Sequence, residues 1–172
     1  MRKLMIGAAV VAIAATVSGC GGGSGGQLSK DEYEAKVTSA GKELAASFES
    51  ISTEAQSISG DITSLDDAKD AFAKLGDVVG TGETNLRDFA DELESLSPPD
   101  DAKEGNQKLV DGFRKMADSF GGLRSALEDG SLKDMAALAG ELQNVTSSEG
   151  GKLVQEGIDA LEELGYTFDT DS

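Results

Sequence analysis

Apolar residues recur along most of this chain at alternating spacings of three and four, the interval that keeps side chains on one face of an α-helix. The first stripe runs Tyr33, Val37, Ala40, Leu44, Phe48, Ile51, Ala55 and Ile58. Ser29-Lys30-Asp31-Glu32 precedes it and sets a hydroxyl three positions ahead of a carboxylate, so that each side chain satisfies the other's free backbone amide. A helix is predicted to open there and to stop at Gly60-Asp61. The second stripe, Leu65, Ala68, Phe72, Leu75, Val79, Gly82, Leu86, Phe89, Leu93 and Leu96, keeps the alternation without exception. It predicts a helix of about 32 residues, near 48 Å long at roughly 1.5 Å per residue. Thr63 or Ser64 is expected to cap it, with Asp66 and Asp67 in the favourable first turn. Its weak place is the run from Gly76 through Gly80 to Gly82, where three glycines lower helix propensity. A bend, a local break, a pocket and a close approach by another backbone all remain open there.

Ser97-Pro98-Pro99-Asp100 ends the second helix and starts the third, because Pro98 disfavours helical geometry at Ser97 while proline is tolerated in a first turn. Ala102, Asn106, Leu109, Phe113, Met116, Phe120, Leu123 and Leu127 form the third stripe, which stops at Asp129-Gly130. Ser131-Leu132-Lys133-Asp134 has the form of another capping box, followed by Leu132, Met135, Ala139, Leu142 and Val145. The pattern weakens over Thr146 to Gly151 and resumes with Val154, Ile158, Leu161 and Leu164. The last region is therefore either one kinked helix or two helices with a junction near Gly150. Gly165 suits a terminal cap, and the tail of residues 166–172 carries Tyr166 and Phe168, which are placed to fold back.

No segment reads as a strand. Amphipathic segments with short connections bury their stripes best as an all-α, antiparallel up-and-down bundle of four to five helices over residues 29–165. Phe72, Leu75, Leu86, Phe89, Phe113, Phe120 and Leu123 are the expected core. Pro98-Pro99 and the Gly-bearing turns favour folding back within one chain over a self-associating coiled coil, so a monomer is expected.

The beginning of the chain has another pattern. Arg2 and Lys3 precede an uncharged, mostly apolar run from Leu4 to Val17. Its length, about 14 residues against the roughly 20 of a membrane span, marks it as the core of an export signal. Val17-Ser18-Gly19-Cys20 resembles the lipobox of bacterial lipoproteins, with Val17 where the commonest versions have Leu. The resemblance implies that Val17, Ser18 and Gly19 are read by the signal peptidase and that residues 1–19 are removed. It further implies a diacylglycerol thioether on Cys20 and acylation of its new amino group. The expected location is the extracytoplasmic side of the cell membrane. Two acyl chains bury on the order of 30 methylenes at about 0.8 kcal/mol each, so such an anchor is effectively permanent. Cys20 is the sole cysteine, which excludes an internal disulfide. Residues 20–28 combine it with a tether whose GGGSGG run has nothing to pack.

Charge narrows the partners. The chain has 15 Lys plus Arg against 32 Asp plus Glu. Loss of Arg2 and Lys3 with the leader leaves 13 against 32, a formal charge of −19. That surface repels nucleic acid and anionic headgroups alike, so the lipid on Cys20 is the expected bond to the bilayer, and a cell-envelope protein is the expected macromolecular partner.

The chain has no His, which with the single Cys removes imidazole and thiol catalysis and the usual zinc sites. Asp66-Asp67-Asp70, Asp88-Asp91-Glu92 and Glu162-Glu163 supply paired carboxylates, as almost any acidic helix does, and they read as solvated faces. No calcium loop or phosphate loop has the required spacing. No catalytic residue, cofactor or metal is therefore predicted. The expected role is a non-enzymatic structural or interaction module; the alternative is a small-ligand-binding lipoprotein with a pocket between helices beside Gly76, Gly80 and Gly82.

Two further phrases, Leu28-Ser29-Lys30-Asp31-Glu32-Tyr33 and Leu93-Glu94-Ser95-Leu96-Ser97-Pro98-Pro99, accompany the lipobox and the Gly/Ser tether. Together they make the chain similar to the small helical lipoproteins of actinobacteria and related high-GC bacteria. Many of those carry a cysteine in the first helix that is missing here, so their disulfide does not carry over. The resemblance implies a helical surface lipoprotein and brings no catalytic residue.

Overall fold

A computed structural model describes residues 26–60, 65–132 and 135–168, and among these every regular element is helical. Helix α1 is Lys30–Gly60, α2 Leu65–Ser95, α3 Lys103–Glu128, α4 Met135–Ser147 and α5 Glu149–Glu163, with a single 3₁₀ turn at Asp100–Ala102 leading into α3. They form an up-and-down bundle in which α1, α2 and α3 are full-length arms and α4 plus α5 share the fourth. The N-terminal leader, the lipobox with Cys20, Thr63 and Ser64, and the end of the second capping motif lie outside the described residues.

The local signals explain where the elements begin and end. At the start of α1 the Ser29 amide donates to Glu32 Oε2 at 2.9 Å and the Glu32 amide donates to Ser29 Oγ at 3.3 Å, the reciprocal cap its sequence predicts. At the other end of the chain Gly165 takes φ +80°, with its amide bonded to the Glu162 carbonyl and the Tyr166 amide to the Leu161 carbonyl. Only glycine adopts that conformation without strain, and it turns Tyr166 back onto the bundle. The two readings of the last region resolve in favour of two helices. Ser148 is extended and its hydroxyl accepts from the Gly151 amide at 3.4 Å, which caps α5 and separates it from α4.

Apolar burial follows the stripes. Leu75, Leu86, Phe89, Phe120 and Leu123 are buried as expected, while Phe72 and Phe113 are half-buried. Phe113 packs edge-on against Phe89 with ring centroids 4.7 Å apart. The distal stripe of α1 is the exception, since Phe48, Ile51, Ala55 and Ile58 are only half-buried.

α3 and α5 approach more closely than any stripe of large residues allows. Gly105 and Gly112 on α3 lie seven residues apart, as do Gly150 and Gly157 on α5, and the two pairs meet antiparallel. A Cβ built on Gly112 would stand 2.8 Å from the Val154 nitrogen and 2.9 Å from the Gly150 oxygen. One on Gly157 would stand 2.9 Å from the Gly105 oxygen. The backbone obstacles move only if the helices separate, and the Val154 Cγ2 atom 2.7 Å from the Gly112 position adds to them.

Two substitutions of identical chemistry should therefore act in opposite directions. Gly112→Ala is expected to lower stability by roughly 1–3 kcal/mol through overpacking, although alanine is the better helix former by about 1 kcal/mol. Gly122→Ala, in the same helix with nothing within 4 Å of the new methyl group, is expected to raise it by roughly 0.5–1 kcal/mol. Urea denaturation of the two variants checks this, and a change of the same sign in both would contradict the close-contact account.

Candidate functional site

The half-buried end of α1 borders an apolar groove of about 460 Å³. Phe48, Ile51 and Ala55 form its α1 wall, Leu75, Val78 and Val79 come from α2, and Leu138, Ala139 and Leu142 come from α4. Phe120 of α3 lies at its base, edge-on to Phe48 with centroids 5.9 Å apart. Ser52 and Gln56 are the polar residues lining it; both are exposed, and the Gln56 amide donates to Ser52 Oγ at 3.2 Å.

The groove exists because of how α4 is seated. α4 packs on α3 and α5, burying Leu138 and Val145, while Leu142 remains 38 % exposed. On its α3 side a second groove of about 570 Å³ mixes Leu123, Ala126 and Val145 with Ser119, Glu141 and Asn144. A third, about 310 Å³, opens farther along α1 between Val37, Leu44, Phe89, Phe113 and Ile158, with Thr38 and Glu162 beside them. The first and third share one seam, between α1 and the α4–α5 arm.

Gly76, Gly80 and Gly82 sit next to this region, and α2 is helical throughout them. All three are buried toward α3. A Cβ on Gly82 would meet the Phe120 ring at 2.9 Å and one on Gly80 the Arg124 side chain at 3.2 Å, whereas Gly76 has nothing nearer than 3.8 Å. The close neighbours are side chains rather than backbone. Thr81 and Thr84 return their hydroxyls to the Asp77 and Gly80 carbonyls at 3.1 and 3.0 Å, satisfying themselves within the helix.

Buried polar chemistry lies at the other pole. Among the described residues Asn106 is the buried polar side chain of the core: Tyr33 Oη donates to its Oδ1 at 2.9 Å, and its Nδ2 donates to the Leu93 carbonyl at 3.1 Å. Tyr166 Oη donates to Asp101 Oδ1 at 2.8 Å, and its ring packs edge-on to Tyr33 at 5.7 Å. Lys30 sits over the Tyr166 ring at 4.7 Å and donates to the Gly165 carbonyl at 2.6 Å. This network ties α1, α2, α3 and the tail together. No buried side-chain polar atom among the described residues lacks a partner.

The acidic sets separate into pairs and solvated groups. Arg114 of α3 donates to Asp91 at 2.8 Å and Glu94 at 2.7 Å on α2, which holds the Glu94 carboxyl below its ordinary range. Arg87 of α2 reaches Asp118 of α3 at 2.8 Å. Asp88 and Glu92 are exposed beside Glu43 at a crevice of about 150 Å³, and Glu162 borders the third groove. Among the described residues no group of three or more acidic side chains is arranged to hold a metal ion. No described helix is long and apolar enough to cross a membrane.

Comparison with protein-family models, with curated proteins and with solved structures finds no match to this chain.

The tyrosine network makes a pH prediction. Burial raises the Tyr33 phenol well above its ordinary value, and burial followed by the Asp101 hydrogen bond pushes Tyr166 up to about 12, with Glu34 adding in the same direction. A phenol whose folded pKa is raised contributes stability that is complete below the unfolded value near 10 and is lost as pH climbs through the folded one. The thermal midpoint is thus expected to fall between about pH 10 and pH 12, and Tyr166→Phe to flatten that fall. Melts recorded from pH 8 to 12 check it; an unchanged slope in the variant would contradict the assignment.

Proposed function

We propose that this chain is a lipid-anchored, extracytoplasmic lipoprotein of the kind found in actinobacteria and related bacteria, and that it acts without catalysis by offering helical surfaces to a cell-envelope partner. The observation that carries the non-enzymatic part is where the interior's polar groups go. Asn106, Tyr33 and Tyr166 are spent on holding helices together, and the groove with the most apolar walls has only Ser52 and Gln56, both exposed, at its edge. An enzyme needs polar groups that converge on a reacting atom. The anchor rests on Arg2-Lys3, the apolar run and Val17 to Cys20. The described chain enters at one pole, where the Leu28 amide donates to the Ser97 carbonyl at 2.7 Å and the Gln27 side-chain amide to Asp100 at 2.8 Å.

The groove beside Gly82 favours a second reading, a site for a small apolar ligand between α1, α2 and α4. It ranks below the first because the polar residues lining the groove, Ser52 and Gln56, are exposed and bonded to each other.

Anchoring is tested by fractionation and intact mass of the wild type and Cys20→Ser. The wild type is expected in the membrane with a diacylglycerol increment on a chain starting at Cys20, and the variant is expected without either. Membrane attachment of the variant equal to that of the wild type would remove the anchor from the proposal.

A further inference from the structure

The first helix is built in two unlike halves that meet at Gly41. We infer that its distal half, residues 42–58, is a lid over the apolar groove, which lifts from the bundle at this glycine while the proximal half stays fastened. The inference concerns motion within the fold, so it goes beyond the proposed role and does not depend on it.

The side-chain bonds that fasten α1 to other parts of the fold lie in its first two turns. Lys30 donates to the Gly165 carbonyl at 2.6 Å, Tyr33 Oη to Asn106 at 2.9 Å, and Glu34 Oε1 accepts from the Thr167 amide at 2.8 Å. The Tyr33 ring is packed edge-on by both Tyr166 and Phe168 of the tail. In the distal half the Thr53 and Ser57 hydroxyls donate to the Glu49 and Glu54 carbonyls and Gln56 donates to Ser52, all within the helix itself.

Burial changes at the same place. Tyr33, Val37 and Ala40 are buried, whereas Leu44, Phe48, Ile51, Ala55 and Ile58 continue the same stripe half-buried. The α1 wall of the groove, from Phe48 to Gln56, therefore belongs wholly to the less buried half. Few buried apolar contacts and exposed helix amides are the features of segments that open below the global unfolding free energy.

Gly41 supplies the joint. A Cβ there would meet nothing within 4 Å, and its φ is not positive, so neither a close contact nor the backbone conformation calls for glycine. Its remaining effect is to weaken the helix interior where it stands. Gly122 of α3 has the same open space but lies within an evenly buried stripe, between Phe120 and Leu123, whereas Gly41 falls where burial drops. Once off the bundle, residues 42–58 hold little helix alone, because they are rich in Ser and a helix of about this length is marginal in water. Lifting thus frees their amides and uncovers Leu75, Val79 and Phe120, the buried residues on the far side of the groove.

Hydrogen–deuterium exchange on the full-length chain tests this. In the wild type, amides of residues 44–58 are expected to exchange about 10-fold or more faster, relative to their intrinsic rates, than those of residues 34–40 and of α3. Phe48→Ala is expected to speed the distal amides further by about 10-fold and to leave the proximal ones within about 2-fold. Phe168→Ala should do the reverse, speeding residues 34–40 alone. Gly41→Ala, with room for its methyl group, is expected to slow the distal amides several-fold by stiffening the joint. Equal protection along the whole of α1 would overturn the lid, as would exchange that rises alike in every helix of Phe48→Ala, since both describe one cooperative unit. Unchanged distal exchange in Gly41→Ala would overturn the assignment of the joint.

Discussion

The contact between the α3 and α5 backbones governs the arrangement of everything else. Gly105 and Gly112 face Gly157 and Gly150 with no side chains between them, so the helix surfaces meet at main-chain distance. Large residues then take up the flanks: Leu161 and Leu109 close one end, Val154 and Met116 the other. α3 gains close neighbours on two sides, α2 and α5, and becomes the spine of the fold. Among the described residues α1 has α2 as its close helical neighbour, and it reaches the far side of the bundle through side chains such as Tyr33 against Tyr166 and Phe168 of the tail after α5. The seam along α1 is the geometric consequence of drawing α5 onto α3.

The two poles of that seam are finished differently. At the tether pole Tyr33, Asn106, Asp101, Tyr166 and Lys30 close it with hydrogen bonds and stacked rings, and each buried polar atom has a partner. A satisfied buried network specifies one arrangement, because any slip leaves a polar group unpaired at a penalty of about 1–3 kcal/mol. At the distal pole, among the described residues, no side-chain hydrogen bond of this kind links α1 to α4 across the apolar walls. Ion pairs do not compensate: Arg114 and Arg87 join α2 to α3, a pair of helices already in close contact, and exposed pairs of this type are worth about 0–1 kcal/mol. Cohesion is thus concentrated along α2, α3 and α5.

Much of this was legible in the residue pattern. The 3–4 alternation located α1, α2 and α3 nearly to the residue, Ser29 and Glu32 marked the first cap, and Gly165 marked the last. Position along a stripe says which face is apolar, but not whether another helix arrives to cover it. Phe48 and Phe120 look equivalent in sequence, yet Phe120 is buried and Phe48 half-buried. The glycines divided in the same way. Gly76, Gly80 and Gly82 stood out because they fall within a long helix, whereas Gly105, Gly112 and Gly157 do not stand out in their stripes and Gly150 marks only a junction. Their signal was the seven-residue spacing in two separate segments, and it gains meaning only once those segments are paired antiparallel.

An open apolar seam in a strongly acidic protein carries its own argument about selection. Closing the groove would require only larger residues at Ser52 on α1 or Ala139 on α4, both small, exposed positions that line it. Filling such a space with carbon is a common route to extra stability, and proteins seldom sit at their stability optimum. Small residues at the rim together with large ones at the base, Phe48, Phe120 and Val79, form a depression with a defined floor rather than a loosely packed end. The acidic excess sets copies of the chain against one another by like-charge repulsion, which opposes self-association through an exposed apolar face.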